Sequence, residues 1–172
     1  MNFKKILLHK IKTKKAKIGI IGMGYVGLPL AIFFANKKFF TIGFDNDTRK
    51  INDLKNYKSY IKHIKTSSLL ENKKYFIPKK SLKAIKYLDI IIICLPTPLN
   101  INKNPDLTYI KNTIKKIKKH LIPGKLLILE SSTYPGCTRE ITKTLLKNSN
   151  LKLGNNFFVG YSPEREDPNN KK

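Results

Sequence analysis

Gly22, Gly24 and Gly27 stand in the spacing Gly-x-Gly-x-x-Gly. Asp45 follows Gly27 by about 18 residues, near the roughly 20 expected of an acid that accepts from the hydroxyls of an adenosine ribose. Residues of these types at this spacing can hold a dinucleotide. Gly22 would allow a tight turn, Gly24 would let the backbone approach a pyrophosphate with no Cβ in the way, and Gly27 would let a helix pack close to a strand. Met23, Tyr25 and Val26 fill the turn between them. The phosphates would rest on free N–H groups at a helix N-terminus, where the helix dipole favours negative charge. A carboxylate at Asp45 would repel a 2′-phosphate, which points to NAD over NADP. Lys50, about one helical turn further on, either faces the ribose or is one of many solvated lysines.

Glycines at this spacing occur in many loops, so the elements around them decide the reading. The apolar run 18–21 fits a buried parallel strand and runs straight into the turn, and the pattern that follows predicts a helix over 25–36. A second strand is expected over 40–45 and a helix over 47–55. Residues 60–83 are less regular, with a short strand near 75–77. Residues 88–95 are too uniformly apolar for a strand with a wet face, and Pro96-Thr97-Pro98 must break them into a loop. A helix is expected over 106–121, because Ile110, Ile114, Ile117 and Leu121 form one apolar stripe. Pro123-Gly124 turns into a strand over 126–130, followed by a helix over 138–147 and a strand over 157–161.

This alternation predicts a single α/β domain, a Rossmann-like, doubly wound parallel sheet over 17–172, behind a basic extension at 1–16. Such sheets bind ligands beyond the carboxyl ends of their strands. The tails at 95–98, 130–136 and 161–165 fall there, beside the glycine turn.

The formal charge of +24 raises the question of nucleic acid. Arg occurs only at 49, 139 and 165, and the lysines are spread along the whole chain. Nucleic-acid readers favour Arg for its bidentate contacts, so specific recognition is not expected, only weak, salt-sensitive adhesion to polyanions. Abundant Lys, Ile and Asn point to a compositional bias toward A/T-rich codons. No apolar run approaches the ~20 residues that span a bilayer, and the basic N-terminus lacks the long apolar core of a secretory signal. Cys94 and Cys137 form neither a disulfide framework nor a metal-ligand spacing, and no metal site is expected. They suit a reducing, cytoplasmic setting. His9, His63 and His120 lie among lysines and read as surface residues.

The tails carry a resemblance. Gly22-Met23-Gly24-Tyr25-Val26-Gly27-Leu28-Pro29, Gly43-Phe44-Asp45, Pro96-Thr97-Pro98-Leu99, Glu130-Ser131-Ser132-Thr133-Tyr134-Pro135-Gly136 and Ser162-Pro163-Glu164-Arg165 resemble the N-terminal domain of the UDP-glucose/GDP-mannose dehydrogenase family over residues 16–170. Ser59-Tyr60-Ile61-Lys62-His63-Ile64 and Tyr161 to Pro168 are most similar to its UDP-N-acetylglucosamine 6-dehydrogenase branch. Family members oxidise carbon six of a nucleotide sugar to the carboxylate and reduce two NAD in succession, in polysaccharide synthesis. The resemblance implies that Gly22, Met23, Gly24, Tyr25, Val26, Gly27, Asp45, Lys50, Leu95, Pro96, Thr97 and Ser132 bind NAD. It implies that Thr133 positions a catalytic water and that Glu164 aids proton transfer. Without it, Thr133 is an ordinary loop threonine and Glu164 a solvated acid. The substrate implied is a UDP-N-acetyl-hexosamine or UDP-hexose.

Relatives in the family are longer. Their central domain supplies a cysteine nucleophile and their C-terminal domain binds UDP, both beyond Lys172 of this chain. The expectation is a fragment of a split enzyme, with a separately encoded C-terminal part as partner, or an inactive NAD-binding copy. Cys94 lies inside an apolar strand, and Cys137 takes a place where threonine is usual, so neither is the nucleophile.

Overall fold

Strands form where the apolar runs lie, because an all-parallel sheet is covered on both faces and must be apolar on both. The chain's computed structural model describes residues 1–101 and 103–163. Helix α1 (Phe3–Lys12) precedes β1 (Ile18–Ile21), α2 (Gly27–Asn36) and β2 (Thr41–Phe44). Helices α3 (Thr48–Lys55) and α4 (Thr66–Glu71) lead to β3 (Phe76–Lys79). A 3-10 helix (Leu82–Tyr87) enters β4 (Ile90–Ile93), and α5 (Thr108–Lys118), β5 (Lys125–Leu129), α6 (Cys137–Leu146) and β6 (Phe157–Tyr161) follow. Every pairing within the sheet is parallel, in the order β3-β2-β1-β4-β5-β6. The fold is the Rossmann-like, doubly wound sheet that the alternation predicts.

Side chains on successive strand residues point to opposite faces. Ile18, Ile20, Ile90 and Ile92 join a core under α2 that includes Leu28, Ala31 and Ile32. Ile21, Ile91, Ile93, Leu127 and Leu129 join the opposite core with Ile110, Ile114 and Ile117 of α5 and Ile141 and Leu145 of α6. The apolar stripe read from the sequence is thus the buried face of α5.

The differences from expectation lie at element ends. The helix expected from 25 begins at Gly27, because residues 22–26 are spent on the turn. The strand expected over 88–95 is only Ile90–Ile93, and the Leu95 backbone bonds to a side chain instead of a neighbouring strand. In the stretch that reads as irregular lies α4, and the 3-10 helix begins at its end and runs on to Tyr87. Pro78 fits β3 because that strand is a sheet edge. Strand β5 begins one residue early, at Lys125, which is 3% exposed. Its ammonium donates to the carbonyls of Ile85 and Lys86, at 3.0 Å each, and of Leu88, closing the open end of the 3-10 helix. Burial lowers its pKa to about 8, with the Asp89 carboxylate opposing.

The basic extension contains a helix. Asn2 caps α1, and Leu7 buries against the core under α2. Lys10 Nζ donates to Asp89 Oδ1 at 2.6 Å, and the Lys17 N–H donates to Asp89 Oδ2 at 2.8 Å. One carboxylate therefore ties α1 and the entry to β1 onto the start of β4.

Strand β1 lies between β2 and β4, so consecutive crossovers leave it in opposite directions. That reversal opens a crevice beyond the carboxyl ends of β1 and β4.

Candidate functional site

The three glycines do different work. Gly22 has φ +100, and a Cβ there would lie 2.3 Å from the Cys94 carbonyl oxygen. Its N–H donates to the Phe44 carbonyl at 2.7 Å, which joins the turn to the end of β2. A Cβ on Gly27 would lie 1.8 Å from the Gly22 oxygen, so the helix can start this close to the strand only with glycine. A Cβ on Gly24 would meet nothing within 4 Å. The fold itself does not require glycine there, and the bare backbone faces the cleft. That open cradle fits a pyrophosphate over the turn.

Asp45 lies against the turn. Its side chain is 8% exposed. Oδ2 accepts from the Met23 N–H and Oδ1 from the Asp47 N–H, both at 2.9 Å. A carboxylate offers about four acceptor positions, so ribose hydroxyls can still be received. Lys50 Nζ stands 3.6 Å from Oδ2. Lys50 also lines the cleft described below.

The tails of β4 and β5 are stitched together. Ser131 Oγ donates to the Leu95 carbonyl at 2.7 Å and accepts from the Leu95 N–H at 3.1 Å. Thr97 Oγ1 donates to the Ser132 carbonyl at 2.6 Å. Between these tails and the glycine turn lies a cleft of about 1230 Å3. Gly22, Gly24, Tyr25, Val26, Asp45, Lys50, Leu95, Pro96, Thr97 and Ser132 line it. Met23 and Gly27 lie behind it: the Met23 side chain is fully buried in the core, and its N–H is engaged by Asp45. Met23 therefore shapes the turn from behind.

Sequence reasoning missed several residues of the cleft. Lys80, Lys83, Lys116 and Lys119 line it with Lys50 and give it a positive rim that suits a pyrophosphate. Burial and the charges of Lys119, Lys86 and Lys83 lower the pKa of His120, a part-exposed residue that also lines the cleft. Ser131 was passed over for its neighbour Ser132. In a sea of lysines, the sequence carried no signal that would have singled out these few.

Thr133 is partly buried near Cys137. It does not line the cleft. Burial pushes the Cys137 thiol up, and the Thr133 side chain opposes this. Glu164 lies outside the described residues. Both cysteines are buried: Cys137 at the start of α6, and Cys94 just past β4, where its Sγ lies 4.0 Å from Glu130 Oε2. Among the described residues, no group of His, Cys, Asp and Glu could hold a metal ion, and no helix is long and apolar enough to cross a membrane.

A doubly wound sheet, a glycine turn at its reversal point and an acid after the second strand define a dinucleotide-binding domain. The profile of the NAD binding domain of the UDP-glucose/GDP-mannose dehydrogenase family matches residues 16–171. The chain belongs to this family and is its NAD-binding domain. It is 38% identical over 159 residues to the UDP-N-acetyl-D-glucosamine 6-dehydrogenase of Salmonella typhi, covering 92% of this chain and 37% of that protein. It is 32% identical to the UDP-N-acetyl-D-mannosamine dehydrogenase of Pyrococcus horikoshii, over 88% of this chain and 37% of that protein. The crystal structure of an NDP-N-acetyl-D-galactosaminuronic acid dehydrogenase from Methanosarcina mazei Go1 superposes with a TM-score of 0.82 at 31% identity, covering 97% of this chain and 38% of that one. The chain thus spans little more than a third of the length of these relatives.

Proposed function

We propose that this chain is the NAD-binding part of a UDP-N-acetyl-hexosamine 6-dehydrogenase that forms the uronic acid for polysaccharide synthesis in the cytoplasm. The observation that carries it is Gly24, bare toward an open cleft that Asp45 also lines, with Asp45 bonded to the neighbouring Met23 N–H. The names of the relatives support the sugar class. NAD, when bound, supplies the hydride acceptor. The glycine turn and the N-terminus of α2 would hold the pyrophosphate, Asp45 the adenosine ribose, and Leu95 to Thr97 one wall. Thr133 would position a water for hydrolysis, and Glu164 would aid the proton transfers. Neither Cys94 nor Cys137 is placed to attack an aldehyde, since both thiols are buried. The covalent step would then need a thiol from a partner or a longer protein.

The purified chain should bind NADH in preference to NADPH and form no NADH from NAD and UDP-N-acetylglucosamine. Adding a C-terminal part of a relative in trans is the positive arm. Equal affinity for the two cofactors would remove the Asp45 assignment, and steady turnover by the chain alone would overturn the missing-thiol reading.

A further inference from the structure

One motif remains unexplained by the cofactor reading. Ser59-Tyr60-Ile61-Lys62-His63-Ile64 lies between α3 and α4, outside helix and strand. Its fold is nonetheless specified. Ser59 Oγ donates to the Ile61 carbonyl at 3.0 Å and accepts from the Ile61 N–H at 3.2 Å. Ile61 is 4% exposed and anchors the segment in the core under α2.

The segment reaches the glycine turn twice. Tyr60 Oη donates to the Met23 carbonyl at 2.6 Å. The His63 ring lies against Tyr25, with centroids 6.1 Å apart. Met23 is thereby held at both ends of its backbone, its N–H by Asp45 and its carbonyl by Tyr60. Lys50 closes the ring, 3.6 Å from Asp45 Oδ2 and 5.8 Å from the centre of the Tyr60 ring.

We propose that residues 59–64 are a clasp that pre-forms the pyrophosphate turn, with Tyr60 as its positioning residue. The proposal rests on the NAD reading of the site. Tyr60 does not line the cleft, so its effect must pass through Met23. Each N–H of a phosphate-binding turn is useful only if its peptide plane already points at the ligand, and a turn that must be ordered on binding loses affinity. Burial, then the carboxylates of Asp45, Asp47 and Asp53, raise the Tyr60 pKa, so the hydroxyl remains a donor through the neutral and alkaline range.

Tyr60→Phe removes only the hydroxyl, and the ring still packs. NADH and ADP-ribose should each bind roughly tenfold more weakly, the scale of one hydrogen bond at about 1.4 kcal/mol per decade. Adenosine, which has no pyrophosphate, should bind the variant as it binds the wild type. A melt without ligand reports folding for each variant. A folded Tyr60→Phe that binds NADH as well as the wild type would overturn the clasp and leave the cofactor site standing. A loss shared equally by adenosine would show general damage and would also overturn it. A wild-type chain that does not bind NADH would overturn the cofactor reading, and the clasp with it. Should Tyr60→Phe not fold, His63→Ala must weaken ADP-ribose and spare adenosine, or the proposal fails.

Discussion

Gly24→Ala and Gly27→Ala should separate binding from folding in opposite ways. A Cβ at residue 24 meets nothing within 4 Å, and that glycine's φ is not in the left-handed region. Alanine there should leave the ligand-free stability unchanged or raise it by up to about 1 kcal/mol, because it restricts the unfolded chain. The same methyl would stand where the pyrophosphate must pass. Forcing a methyl into filled space costs roughly 1–3 kcal/mol, or about 5- to 150-fold in affinity at 1.4 kcal/mol per decade. At residue 27 the added Cβ would lie 1.8 Å from the Gly22 oxygen and 3.0 Å from its carbonyl carbon. Backbone cannot yield as a side-chain tip can, so α2 must move off β1, and a loss of ~2 kcal/mol or more in stability follows. Urea denaturation without ligand and NADH fluorescence titration measure the two quantities. A Gly24→Ala chain that binds NADH like the wild type would refute the passage of the pyrophosphate over this turn. A Gly27→Ala chain of unchanged stability would refute the close packing of α2.

Asp45→Ala should weaken NADH by roughly 1–3 kcal/mol, the scale of lost charged hydrogen bonds, and narrow the preference over NADPH. Parallel titrations of both cofactors check it. Leu7→Ala should cost about 2–5 kcal/mol, because the side chain fills core rather than coating it; denaturant melts would show no change if α1 were a loose tail. The Cys137 thiol has a folded pKa above its unfolded value, so its contribution to stability is complete below about 8.5 and falls as pH rises past that point. Cys137→Ala should flatten the alkaline loss between about pH 8 and 10 in urea melts. Binding of DNA should be blind to sequence and fall steeply between about 50 and 200 mM salt, as counterion release requires.

The fold was legible because its signals are local. Four consecutive isoleucines at 90–93 bury on both faces, and few structures other than a covered parallel strand use such a run. The stripe of α5 and the glycine turn are read within about one or two helical turns of chain. Element ends were read less well, since they depend on which backbone groups find partners in other segments. The residues that appeared to continue the strand past Ile93 are diverted by Ser131, about 36 positions away, and no window of sequence contains both.

The same reasoning explains why the cleft was only half visible. Gly22 and Gly27 are fixed by steric contact, and Gly24 and Asp45 complete a spacing that few other folds use, so their types are informative at a distance. Lys80, Lys83, Lys116 and Lys119 are ordinary in type and take meaning from position alone; with a charge of +24, one more lysine says nothing. Met23 is the instructive case. The resemblance places it among the NAD-binding residues, and in the structure its N–H goes to Asp45 and its carbonyl to Tyr60. The fingerprint thus contains a residue that orients the turn from behind, and the tyrosine that completes this arrangement lies 37 positions further along the chain. A spacing rule built on glycines cannot reach that far. A buried residue whose backbone N–H and C=O are both taken by distant side chains is a fixed point of the fold, and a binding loop hung on such a point is ordered before its ligand arrives.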